Sequence, residues 1–188
     1  MTTQAVLGAP GELELVRAFV NSNDIDAGTD ELGSPSALLD WLVGHDLADP
    51  SDAVSDHDLR RAVGVREALR TLLLCNNDGK APDPAAIDTL NHAGARARLA
   101  PRFDERGVAA LDTESRGVDG ALDRILAIVY GAMEAGTWSR LKACRNDTCC
   151  WGFYDRSKNH SRTWCSMDVC GSQMKARAYR RRRKARAQ

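Results

Sequence analysis

The sequence is short of aromatic residues, which make up 5% of its 188 residues, and it has no apolar run long enough to cross a bilayer. Few aromatics beside 43% hydrophobic residues, rich in alanine and leucine, argue against a β-sandwich and for a helical protein. The opening stretch MTTQAVLGAPGELELV has neither a basic start nor an apolar core, so no signal peptide is expected and the chain is assigned to the cytoplasm. There is no glycine-rich phosphate loop and no nucleophile elbow, and His45, His57 and His92 are scattered among helical segments. From Cys144 onward there is no glutamate. An enzyme is therefore not expected.

What is present is unevenly distributed. The net charge is zero, yet residues 138–188 hold 14 Lys/Arg against Asp147, Asp155 and Asp168, a balance of +11 that leaves −11 on residues 1–137. Such an asymmetry points to nucleic acid, with no membrane partner expected. The same end carries five of the six cysteines within 27 residues. In a reducing compartment clustered cysteines read as metal ligands before disulfides.

Local signals divide the chain into a helical unit, 1–137, and a small module, 138–188. Residues 12–20 have the apolar spacing of a short helix, with Leu13, Val16 and Val20 on one side. NSNDIDAGTDELG reads as a polar loop. Ser34 before Pro35 caps a second helix, and Ser55 with Asp58 forms a capping box for a long third helix reaching Asn76. Asp83-Pro84 starts a fourth, expected to end near Asn91. Arg96 to Phe103 and Gly107 to Thr113 read as a hairpin, and the segment from Val118 to Gly136 as a further helix. The fold class expected is mainly α (α+β): a helical N-terminal domain with a small β-hairpin, then a zinc module ending in a basic helix. Cys75, on the apolar LLLC stretch, is expected to be buried.

Cys144 and Cys149 are separated by four residues, as are Cys165 and Cys170, with fifteen between the pairs. Each pair can close a loop around an ion while the spacer brings the loops together, and four thiolates favour one structural Zn2+. Cys150 and His160 are the alternative ligands. A catalytic zinc would keep an open position beside a Glu or His, which this glutamate-free stretch does not favour.

The stretch resembles a known family. Cys144-x4-Cys149, Phe153-Tyr154-Asp155-Arg156-Ser157, Ser161 to Met167, Cys170-Gly171 and Lys175 are similar to the CGNR-type zinc finger at the C-terminus of bacterial ABATE-domain proteins. Phe19-Val20-Asn21, Leu39-Asp40-Trp41-Leu42 and Arg66-Glu67-Ala68-Leu69-Arg70 resemble the family's N-terminal domain. The resemblance implies a stress-induced transcription regulator. In the naming motif, Ser172 and Gln173 stand where the family has Asn and Arg, so a contact made by that Arg would be lost or weakened here.

After Cys170, SQMKARAYRRRRKARA favours a helix, with Cys170, Met174 and Ala178 facing the metal platform. Gln173, Arg177, Arg180 and Lys184 form a separate stripe suited to a groove or phosphate backbone. Ser172, Gln173, Lys175, Arg177, Arg180, Arg181 and Lys184 are the expected nucleic-acid contacts. DNA is the expected partner, with RNA, or a protein-interaction role, as the alternative. The N-terminal domain is assigned to sensing a small molecule or to forming a homodimer.

Overall fold

The computed structural model describes residues 8–186. Its helices are α1 (Leu13–Asn21), α2 (Pro35–Gly44), α3 (Asp56–Cys75), α4 (Pro84–Arg96), α5 (Gly117–Glu134) and α6 (Ser172–Arg186). Three two-stranded antiparallel pairs accompany them: β1 (Asn23–Asp24) with β2 (Thr29–Asp30), β3 (Leu99–Phe103) with β4 (Ala109–Thr113), and β5 (Leu141–Ala143) with β6 (Gly152–Tyr154). The architecture is mainly α, with small β elements, as the composition implies.

The caps explain where the helices begin. The Ser34 hydroxyl accepts from the Ala37 N–H at 3.1 Å, and Ser55 and Asp58 close a reciprocal capping box at the head of α3. Asp83 accepts from the Ala85 N–H ahead of Pro84. α5 stops at Gly136, whose φ of +67° a side chain would disfavour. α4 runs one turn past its expected end, because Leu90 and Ala93 pack on the core and Gly94 is accommodated within the helix.

One polar segment is more ordered than its composition suggests. The loop 22–31 is pinned by Arg66 of α3. Its guanidinium is almost fully buried, donating to both Asp30 oxygens at 2.6 and 2.7 Å and to Glu67 at 2.8 Å. Cys75 departs the other way: it is only half-buried and lines a groove beside the C-terminal module, because the last turn of α3 points it away from the core.

One apolar cluster gathers Val16 and Phe19 of α1, Leu38 and Trp41 of α2, Leu69 and Leu73 of α3, and Ile125 and Val129 of α5. Trp138, Leu141, Ala143 and Tyr154 belong to the same cluster. The segment after Thr137 therefore packs directly onto the helices.

Polar contacts fix that docking. Asn21 acts as a short strand for Gly152, accepting its N–H at 2.6 Å and donating to its carbonyl at 3.0 Å. Asn76 donates to the carbonyls of Trp138 and Leu141, and Asn77 to that of Ala143. Arg70 joins the Val20 carbonyl on α1 to the Cys150 carbonyl beyond it.

Candidate metal centre

The β5–β6 hairpin, paired from Leu141–Tyr154 to Ala143–Gly152, ends in the tight loop that carries the first two cysteines. Asn146 closes this loop, its carbonyl accepting from the N–H groups of Cys149 and Cys150 at 2.9 and 3.0 Å. The second pair is brought over by the Thr163 carbonyl, which accepts from Arg145 N–H at 3.0 Å. Cys170 lies in a π-helical turn, Met167–Gly171, that continues into α6. π-turns are rare and often mark functional positions. Gly171 packs closely there: a Cβ would lie 3.3 Å from both Met167 Sδ and Trp164 Cδ1, so those side chains would have to shift.

The four sulfurs of Cys144, Cys149, Cys165 and Cys170 lie within 4.8 Å of one another, all on buried residues. Cys149 and Cys165 are 3.6 Å apart, and Cys165 and Cys170 3.7 Å. A tetrahedral zinc with bonds of about 2.3 Å needs sulfurs about 3.8 Å apart, so the cage fits the ion. All six cysteines are free of disulfides.

The electrostatics agree. Hydrogen bonds from Cys149 and Cys165, followed by backbone N–H groups of Cys165 and Asn146, pull the Cys144 thiol far below its usual range. Contacts with Cys144 and Cys165 push the Cys149 thiol up, and the Cys144 contact with burial raises Cys165 against the opposing contact from Cys149. Four sulfurs this close hold several negative charges only if a cation sits among them. Zinc supplies that charge when bound, and these residues hold it through four thiolates with no position left for substrate.

The two alternative ligands lie outside the cage. Cys150 adopts φ +48°, which turns its sulfur toward the carbonyls of Asn146 and Asp147 at 3.7 Å, and burial raises its thiol. His160 is exposed, with φ +50°, and its carbonyl accepts from Lys142.

Around the cage the module has its own small core of Phe153 with Trp151 and Trp164 against the cysteines. Beneath it is an ion pair that sequence reading overlooked: Lys142 and Asp155, both almost fully buried, 2.9 Å apart. Lys142 also donates to the carbonyls of His160 and Arg162. Burial alone would raise the Asp155 carboxyl, but hydrogen bonds from Ser157, Lys142 and Arg162 bring it down to about 2.

The positive charge of the module thus splits into two groups. Lys142, Arg140 and Arg162 are committed to carbonyls and to Asp155 within the finger. The solvent-facing cations are concentrated on α6. Asn146 connects that helix to the cage: its amide donates to Cys170 Sγ at 3.6 Å and to Gln173 Oε1 at 3.2 Å, while its oxygen accepts from Arg177 at 3.3 Å. Arg177 also pairs with Asp147 at 2.9 Å.

Of the expected nucleic-acid contacts, Gln173 and Arg177 accordingly lean on the finger. Ser172 donates to the Met167 carbonyl, and Arg180 reaches back to the Ala176 carbonyl at 3.4 Å. Lys175 and Arg181 are exposed, and the side chain of Lys184 lies outside the described residues. Met174 and Ala178 are half-buried on the inner side of α6, while Lys175, Tyr179, Arg182 and Arg183 are all exposed. The inner side is the one that the sequence predicts from Cys170, Met174 and Ala178; the hold of Asn146 and Asp147 on Gln173 and Arg177 was not legible, because those partners lie about 30 residues away.

The fold and the cage together define a two-part protein, a helical domain joined to a cysteine-held zinc module. Residues 13–135 match the ABATE family, described as a putative stress-induced transcription regulator, and residues 140–183 match the CGNR zinc finger. The chain belongs to the ABATE family and carries a CGNR-type finger that holds one zinc ion. No curated protein matches it. None of its described helices is long and apolar enough to cross a membrane.

Proposed function

We propose that this family member is a DNA-binding regulator that acts by binding, without a catalytic step. The zinc cage fixes the start of α6, and the helix presents Lys175, Tyr179, Arg182 and Arg183 to the phosphate backbone. The observation that supports this most directly is the continuity from Cys170 through the π-turn into a helix whose outer face is cationic. Its cations have few internal partners, unlike those inside the finger, so contact with phosphates displaces little that is already made. Phosphate contacts supply affinity and register, while any base reading falls to the polar groups nearest the cage.

The test uses the zinc-loaded full chain beside a chain ending at Met174, with duplex DNA and matched RNA at one salt concentration. Loss of DNA binding on truncation supports the reading. Equal DNA affinity in both chains contradicts it, and clear preference for RNA replaces DNA as the partner.

A further inference from the structure

The antiparallel pair α3 and α4 encloses a cleft of about 530 Å³, within the range of small-molecule pockets. It lies on the part of the chain with net charge −11, yet Arg60, Arg61 and Arg96 line it together with His57 and His92. Asp88 is the one carboxylate in its lining. The floor is apolar, made by Val65 and Leu122, both buried, with half-buried Ala93 beside them.

The cations differ in how they are held. Arg61 is anchored, half-buried, by Asp58 at 3.3 Å and Asp119 at 2.6 Å. Arg60 and Arg96 have no ion-pair partner among the described residues and are exposed. His92 Nδ1 lies 2.7 Å from the Asp88 carbonyl, which can only accept, so Nδ1 donates and Nε2 remains available. His57 lies 4.0 Å from Asp58. Two guanidiniums without carboxylate partners beside an apolar floor match a planar anionic head joined to a small apolar body.

We infer that the α3–α4 cleft binds a small organic carboxylate, its head between Arg60 and Arg96 and its apolar part over Val65 and Leu122. This inference does not depend on nucleic-acid binding. The cleft shares α3 with Arg70, and α3 leads directly into Asn76 and Asn77, so an occupant would sit on the helix whose C-terminal half and cap hold the finger.

Benzoate is the probe, titrated into the zinc-loaded full chain by calorimetry at fixed ionic strength so that general screening is constant. Benzamide keeps the ring without the charge, and acetate keeps the charge without the ring. The expected result is saturable benzoate binding below about 1 mM, with benzamide and acetate each at least about tenfold weaker. Replacing both exposed arginines, Arg60→Gln with Arg96→Gln, is expected to weaken benzoate by about tenfold or more while leaving the helical circular dichroism unchanged. Absence of benzoate binding, equal binding of benzamide, or unchanged affinity in the double variant each overturns the inference.

Discussion

At the scale of single residues, the joint between helices and finger depends on side chains that imitate backbone. Asn21 satisfies both backbone groups of Gly152 from a nearly sealed position. Asn21→Ala leaves them unpaired and is expected to lower stability by about 1–3 kcal/mol in urea unfolding. Lys142→Met should cost more, about 3–5 kcal/mol by the same measurement, because it strands the Asp155 carboxylate in the finger interior. The Asp30–Arg66 pair carries a pH signature. Hydrogen bonds from Arg66 outweigh burial and hold the Asp30 carboxyl below its usual value. A lowered carboxyl stabilises the fold above the unfolded pKa of about 3.9 and loses that contribution as pH falls through the folded value. The stability difference between the wild type and Asp30→Asn should therefore shrink below about pH 4, and a difference that stays constant contradicts the pairing.

At the scale of elements, the parts legible in the sequence were those with a strong local signal. Ser34-Pro35, Ser55 with Asp58, and Asp83-Pro84 each name a helix start through a side chain that reaches only two or three residues. The two cysteine pairs were legible for the same reason, since each closes a short loop. The π-turn at Cys170, the β1–β2 pair and the burial of Arg66, Lys142 and Asp155 were not, because partners distant in sequence determine them. Asn76 and Asn77 illustrate the difference: in the sequence Asn76 only marks the end of α3, and in the fold the two side chains clamp Trp138, Leu141 and Ala143. Since Leu141, Ala143 and Tyr154 complete the helical core, zinc removal should affect more than the finger. Chelation is expected to lower the melting temperature of the helical signal as one cooperative transition; a helical signal that melts unchanged after chelation contradicts the shared core.

At the scale of the whole molecule, the zero net charge conceals a working division. An acidic helical body supports a finger whose inner cations are consumed by its own fold, and the unpaired charge collects along the outer side of one helix. Each phosphate neutralised releases a counterion, so such a surface is recognised by its salt dependence before its sequence preference. The most direct measurement is therefore the salt titration of duplex-DNA affinity for the zinc-loaded full chain, beside the variant Lys175→Gln, Arg182→Gln, Arg183→Gln. With about six phosphates engaged, the log–log slope should lie near −5 and move about 2.7 units toward zero in the variant. A shallow slope, or one the three substitutions leave unchanged, would contradict the claim that the zinc-anchored helix is the nucleic-acid surface.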